Sequence, residues 1–192
     1  MSEIAATATQ SNSLLAFHRK MLRDKPLGGA GGIIFALFLF CGVFADFLAP
    51  YGMNETDMRR VLESPSLAHW MGTDHIGRDV FSRILYGAQL SVIIGFLAAG
   101  LATIISIILG VLTGYFGGKA DMLIQRFVDA WMTFPDLVLL IVVVSIVGPG
   151  ETQIILILGC LYGIAGSRII RGSTIAVREN MYTHAAQSMG AH

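Results

Sequence analysis

Side chains that could bind a metal lie in the polar segment between the first two apolar runs. His69 and His75 stand on either side of Asp74, and imidazole and carboxylate groups are common metal ligands. Their six-residue spacing crosses a loop that contains glycine, and it matches no standard ligand pattern. The sequence therefore favours a turn over a metal site, and we predict no bound metal.

The same segment has the residue types of a turn followed by a helix. Gly72 and Gly77 permit tight backbone turns, and either Asp74 or Asp79 can cap a helix that follows. The apolar face of that helix would consist of Val80, Ile84 and Leu85. We expect Gly77, Arg78 and Asp79 to brace the start of the second membrane span, with no direct role in contacting a substrate.

Motifs for enzymatic chemistry do not emerge from the sequence. There is no Gly-rich loop ending in Gly-Lys-Ser/Thr, the motif that binds nucleotide phosphates, and no Ser/His/Asp or Cys/His set can be assembled. Cys41 and Cys160 each lie within an apolar run, where they are predicted to be free packing residues. We predict no catalytic residue and no cofactor.

The last 22 residues, 171–192, carry a pattern that favours contact with another protein. Four apolar side chains fall at i, i+3, i+4 and i+7, which places them in one stripe on a helix: Tyr182, Ala185, Ala186 and Met189. Gly190 is predicted to end that helix in a left-handed conformation. A helix lying on the bilayer surface is the alternative that this stretch alone leaves open.

Composition indicates an all-α membrane protein. Apolar residues make up 54% of the chain and charged residues only 14%, and long apolar runs are typical of bilayer-spanning helices. Thirteen basic residues balance thirteen acidic ones, so nothing in the charge indicates a nucleic-acid partner. We predict a polar N-terminal arm at 1–26, a membrane domain at 27–192 and a polar tail at 171–192. The predicted spans are about 27–49, 90–116, 130–148 and 152–170.

Small residues within the spans predict close helix packing. In the second span they recur every four residues, at Ala98, Ala102, Ser106, Gly110 and Gly114, and the fourth span has Gly159 and Gly163 at GxxxG spacing. These small residues form one face of the second span, and the alternative is that this face lines a substrate passage.

Charged residues near the span ends have simple local interpretations. Arg126 and Asp129 are three residues apart and are expected to pair on one helix. Arg168 and Arg171 are expected to reach the lipid headgroups. Pro135 and Asp136 would lie in the first turns of the third span, with Asp136 hydrated near the interface.

Basic residues also predict the orientation. With the N-terminus inside, the inner segments hold nine of the thirteen, whereas the loop before the second span holds four together with five acidic residues. The positive-inside rule then predicts that both termini are cytoplasmic, with residues 51–89 periplasmic and residues 117–129 and 171–192 cytoplasmic.

Three blocks of the sequence resemble the permeases of ABC importers. GTDHIGRDVFSR, residues 72–83, is similar to a block found in the C-type subunits of the peptide and nickel branch. GYFGG, residues 114–118, is followed by the Asp, Arg, Asp and Pro of the same subunits. YTHAAQSMGA, residues 182–191, resembles the Ala-Ala, three residues, Gly signature, although His184 stands where the family usually has Glu.

The resemblance covers roughly residues 12–192 and implies functions for two groups of residues. The periplasmic structural motif would comprise Gly72, Thr73, Asp74, Gly77, Arg78, Asp79, Ser82 and Arg83. The second group would form a cytoplasmic coupling helix that contacts an ATPase: Tyr182, Ala185, Ala186, Met189 and Gly190.

Family resemblance also implies partners and a location. The chain would be a multi-pass permease of the bacterial inner membrane that imports di- or oligopeptides. It would work with a homologous B-type permease, two ATP-binding subunits, a periplasmic substrate-binding protein and the surrounding lipid. Because the family fold has six helices, the sequence is expected to be its front part, truncated at the C-terminus. A nickel or other small-solute importer and a non-transporting regulatory subunit remain alternatives.

Overall fold

The computed structural model describes residues 25–190, so most of the expected N-terminal arm, 1–26, lies outside the described residues. Seven helices account for most of this part of the chain, and one isolated bridge between Thr73 and Asp79 is its only β-type pairing. The helices are α1 Pro26–Val43, α2 Ala45–Leu48, α3 Val80–Phe116, α4 Gly118–Met132, α5 Asp136–Val147, α6 Glu151–Arg178 and α7 Met181–Ser188. The all-α prediction is therefore confirmed.

The first of two compact units, which ends at Val92, joins the N-terminal helices to the first turns of α3. Helix α1 begins with Pro26, whose fixed φ suits a first helical position. Near its end, a Cβ added to Gly42 would lie 2.7 Å from Cγ2 of Val92 and 3.0 Å from the carbonyl oxygen of Ala88. The glycine thus allows α1 to touch the backbone of α3, as small residues do between membrane helices.

Close contact between α3 and α6 organises the second unit, Ile93–His192. A Cβ on Gly110 would lie 2.7 Å from the carbonyl oxygen of Ser167, and one on Gly163 would lie 2.7 Å from Cβ of Ile105. The Ser106 hydroxyl donates to the carbonyl oxygen of Gly163 at 2.8 Å. At these positions the small residues serve helix packing, as the sequence predicted.

Within residues 25–190, three helices are long and apolar enough to cross a membrane, namely α1, α3 and α6. Helices α4 and α5 pass the same test only as a pair, and they are bent by 84° at the break between them. Counting that pair as one span gives the four that the sequence predicted. The structure thus has the helical, polytopic character expected of the front part of a permease fold.

The expected third span, 130–148, differs from the structure. Pro135 precedes the first residue of α5 and does not lie inside a helix, because its ring cannot continue the backbone ladder of α4. Helix α5 has 12 residues and therefore measures only about 18 Å along its axis. Asp136 is exposed at its start, as hydration would require. Helix α3 starts at Val80, where the sequence predicted a helix start, and α6 continues to Arg178, so both helices extend beyond the predicted spans 90–116 and 152–170.

Ion pairs in the second unit correct two expectations. Asp129 pairs with Arg168 of α6, not with Arg126 of its own helix. Arg171 forms two hydrogen bonds with Asp121, of 2.7 and 2.5 Å, instead of extending to the headgroup region. Both arginines lie on α6 and both aspartates lie on α4. A pair within one helix contributes little stability, so Asp129 can bind an arginine of the neighbouring helix in place of Arg126.

Candidate functional site

Asp79 is the centre of a buried polar network in the loop formed by residues 50–79, here called the polar loop. It precedes α3 directly and is 3% exposed. Its Oδ2 accepts hydrogen bonds from the backbone N–H and the hydroxyl of Ser82, both at 2.7 Å, so Asp79 is the cap that the sequence predicted. Its Oδ1 accepts a 3.0 Å bond from Nδ1 of His69, and Ser82 in turn accepts from the backbone N–H of Tyr51.

Asp74 is the centre of a second network in the same loop. One carboxylate oxygen accepts the backbone N–H groups of Ile76 and Arg78, each at 3.0 Å. The other oxygen accepts from Nε of Arg78 at 2.8 Å and from Nη1 of Arg83 at 2.9 Å. Both arginines of the GRDVFSR segment therefore bind the aspartate of the preceding GTD segment.

Glycine and threonine join this motif to the earlier part of the polar loop. Gly77 has φ +77°, and a Cβ there would overlap the carbonyl group of Asp57, whose N–H binds the carbonyl oxygen of Gly77 at 3.1 Å. Gly72 has φ +74° and is blocked in the same way by the carbonyl oxygen of Glu63. The Thr73 hydroxyl accepts a 2.8 Å bond from the Glu63 N–H. All eight residues of the predicted motif thus lie in one connected structure.

Hydrogen bonding lowers the pKa of both aspartates, of which Asp79 is buried and Asp74 is half-buried. Burial raises the pKa of Asp79, but the bonds from Ser82 and His69 outweigh it and hold the pKa below its usual value. Burial also raises the pKa of Asp74. The bonds from the N–H groups of Arg78 and Ile76 and from the Arg78 guanidinium outweigh this effect and lower the pKa strongly. Both carboxylates are therefore ionised at neutral pH.

The two histidines of the rejected metal interpretation have different environments. His69 is buried, stacks on Tyr51 with a ring separation of 4.8 Å, and lies 3.4 Å from Nη1 of Arg60 through its Nε2. His75 is exposed. Within residues 25–190 no group of three His, Cys, Asp or Glu side chains has the spacing of a metal site. Sequence reasoning missed the pairing of His69 with Asp79, which a separation of ten residues in an irregular loop does not reveal.

Helix α7 carries the predicted contact stripe. Tyr182, Ala185 and Met189 are exposed, and Ala186 is half-buried. Gly190 follows the helix with φ +94°, the left-handed conformation that the sequence predicted for it. The stripe is therefore accessible along one side of a short helix that has no acidic residue.

The junction of α6 and α7 contains contacts that the sequence did not suggest. Arg178, the last residue of α6, donates through Nη1 to the carbonyl oxygen of Tyr115 at 2.9 Å. The Thr183 hydroxyl of α7 donates to the carbonyl oxygen of Val177 at 2.8 Å. The proximity of Arg178 to the end of α3 could be anticipated only from the packing of α3 on α6, because 63 residues separate it from Tyr115.

Comparison with known proteins identifies the family. Residues 106–192 match the family described as "Binding-protein-dependent transport system inner membrane component", and residues 13–65 match the "N-terminal TM domain of oligopeptide transport permease C". The chain belongs to this family of permeases. It is a C-type member, and it is a multi-pass inner-membrane protein, as the sequence predicted.

Individual relatives agree with this assignment. A glutathione transport system permease protein of Pectobacterium atrosepticum is 37% identical over 177 residues, which are 92% of this chain and 58% of the relative. A dipeptide transport system permease protein of Alkalihalophilus pseudofirmus is 37% identical over 171 residues, 89% of this chain and 56% of the relative. The chain therefore spans somewhat more than half the length of these relatives. Both are named as transport permeases and not as enzymes.

Proposed function

We propose that the chain is the C-type permease subunit of a binding-protein-dependent importer of di- or oligopeptides. Both relatives are named for short peptides, since glutathione is itself a tripeptide, and this supports a peptide substrate. The proposed partners are a homologous B-type permease, two ATP-binding subunits that hydrolyse ATP, and a periplasmic substrate-binding protein.

Coupling to the ATPase is assigned in this proposal to α7. The observation that carries it is the exposed stripe of Tyr182, Ala185 and Met189 on a short helix inside the matched region 106–192. The alanines let a partner surface approach the helix backbone closely. The polar loop has the complementary role of bracing the start of α3, because its motif residues bind one another and the loop backbone.

The coupling role can be tested with two substitutions of the same charge on α7, one within the stripe and one beside it. Ala185→Glu places a carboxylate in the exposed stripe, where overpacking costs about 1–3 kcal/mol and burial of an unpaired charge adds to it. Recovery of the ATP-binding subunit with the purified transporter should then fall at least about tenfold. His184→Glu adds the same group outside the stripe and should leave recovery unchanged. Equal recovery with both variants would contradict the coupling role.

Orientation is tested by cysteine labelling in whole cells. In a variant with Cys41 and Cys160 replaced by serine, Leu67→Cys should react with an impermeant thiol reagent, because Leu67 is fully accessible in the polar loop. Met181, at the start of α7, is also exposed, and Met181→Cys should react only after the cells are opened. The reverse pattern would reject both the proposed topology and the coupling role of α7.

A further inference from the structure

The last carbonyl groups of α3 are bound by an arginine from another helix. Helix α3 ends at Phe116, and carbonyl groups in the last turn of a helix have no N–H partner within it. Nη1 of Arg178 lies 2.9 Å from the carbonyl oxygen of Tyr115 and 3.4 Å from that of Gly114. A guanidinium group at this position also offsets the negative end of the helix dipole. Arg178 is therefore a cap for α3 that α6 supplies.

The same residue stands at the connection to α7. Only Glu179 and Asn180 separate the two helices, and the carbonyl oxygen of Asn180 accepts the N–H groups of Thr183 at 3.0 Å and His184 at 3.2 Å. The Thr183 hydroxyl returns to the carbonyl oxygen of Val177, one residue before Arg178. The first turn of α7 is thus tied to the last turn of α6.

Helices α3 and α6 are in close contact beside this junction. A Cβ on Gly114 would lie 2.7 Å from Cβ of Thr174 and 3.0 Å from the carbonyl oxygen of Arg171. A cavity of about 340 Å³ remains next to the contact, lined by Tyr115, Ser173, Thr174, Val177, Arg178 and Thr183. The nearest atoms of α6 to a Cβ on Gly114 belong to Thr174 and Arg171, so the bond from Arg178 to α3 is an additional link beside this contact.

We propose that Arg178 is a positioning residue for coupling, which holds the first turn of α7 in a fixed place against the C-terminal end of α3. A displacement of α7 by a docked ATPase is then passed to α3 and is not absorbed in the two-residue connection. This inference rests on the proposed coupling role of α7. Arg178 acts after the ATPase has docked, when the displacement of α7 is passed to α3, and it takes no part in docking itself.

The first test compares docking with transport in the transporter assembled with its ATPase and binding protein in lipid vesicles. Arg178→Ala should leave recovery of the ATPase at the parent level, because the stripe on α7 is unchanged. Peptide taken up per ATP hydrolysed should fall about tenfold, the factor that corresponds to one charge-assisted hydrogen bond. Arg178→Lys should restore part of the loss, since an ammonium group can still donate to Tyr115. Arg126→Ala, at an exposed arginine of α4, is the matched control.

Two results of this test would overturn the inference. An unchanged ratio of uptake to ATP hydrolysis in Arg178→Ala would show that the link transmits nothing. Loss of the ATPase itself from Arg178→Ala would show that the residue only shapes the docking surface. Failure of the coupling role as a whole is seen separately, as normal ATPase recovery with Ala185→Glu.

A spectroscopic measurement reports the link directly. In the variant without native cysteines, spin labels at Phe116→Cys and Met181→Cys would be attached to exposed positions at the end of α3 and the start of α7. The distance distribution between the labels should be narrow in the parent, broad with Arg178→Ala and intermediate with Arg178→Lys. A distribution that is equally narrow in all three proteins would contradict the proposed positioning role.

Discussion

The polar loop and the contact between α3 and α6 are both ordered without a large apolar core, but by opposite means. In the loop the apolar side chains Leu67 and Trp70 are exposed, whereas His69 and Asp79 are buried. In the helix contact the close approach occurs at glycines, such as Gly110 against α6, and the buried bond from the Ser106 hydroxyl to the carbonyl oxygen of Gly163 joins two neutral groups. The charged bond of Arg178 lies at the end of α3.

The difference follows from what each region must do with its backbone. The loop has turns and one isolated bridge in place of a regular backbone hydrogen-bond ladder. Side-chain carboxylates therefore satisfy some of its N–H groups, as Asp74 does for Ile76 and Arg78. The helices satisfy their own backbones, and lipid gives no hydrophobic force between them, so packing of small residues decides their association. We therefore expect the loop to be sensitive to charge and the helix contact to be sensitive to volume.

Acid should have the largest effect, and it should act on the loop. The pKa values of Asp74 and Asp79 are lowered by folding, so their contribution is complete above the ordinary aspartate pKa, about 3.9, and is lost as the pH falls through the lowered values. The 192-residue chain in detergent, with Trp131→Phe to leave Trp70 as the only tryptophan, should show a change in Trp70 fluorescence below about pH 4. Helical circular dichroism should persist. If helical circular dichroism were lost at a higher pH than the change in Trp70 fluorescence, acid would act on the helices first, and the loop would not be the charge-sensitive region.

Removal of one loop carboxylate should have the next largest effect. Asp79→Ala deletes the cap of α3 and leaves His69 and Ser82 without their buried partner, at a cost of about 3 kcal/mol for the loop. The measurement is the rate of limited proteolysis within residues 50–79, which should rise strongly. Glu55→Ala, which removes only an exposed bond to the Gly52 N–H, is the control and should change little. Equal cleavage of both variants would show that the Asp79 network does not order the loop.

Sequence reasoning succeeded where structure is local and failed where it depends on tertiary contacts. The cap at Asp79 and the left-handed Gly190 follow from residue type and position within a few residues. The pairing of Asp129 with Arg168 does not, because it depends on how α4 lies against α6. The same limit applies to Arg178, whose bond to Tyr115 joins the ends of two helices distant in sequence.

Added volume in the helix contact should have a smaller but specific effect. In Gly110→Val the Cβ would lie 2.6 Å from Cβ of Ile170 and 2.7 Å from the carbonyl oxygen of Ser167, so α3 and α6 must separate. Such overpacking costs about 2 kcal/mol. Gly100→Val is the matched control, since nothing lies within 4 Å of a Cβ at that position of the same helix. Thermal unfolding in detergent should distinguish the two, and an equal shift in both variants would argue against packing at Gly110.

Removal of the hydroxyl between the helices should have the smallest effect. Ser106 is 8% exposed and donates to the carbonyl oxygen of Gly163 in α6, whereas the Ser145 hydroxyl donates to Ile141 of its own helix. Interhelical hydrogen bonds in membrane proteins contribute only about 0.6 kcal/mol on average, because a polar group also finds partners when the helices are apart. Ser106→Ala should therefore lower the free energy of unfolding by about that amount, and Ser145→Ala should lower it less. If Ser106→Ala instead destabilised the chain more than Gly110→Val, hydrogen bonding and not the close fit of small residues would hold α3 against α6.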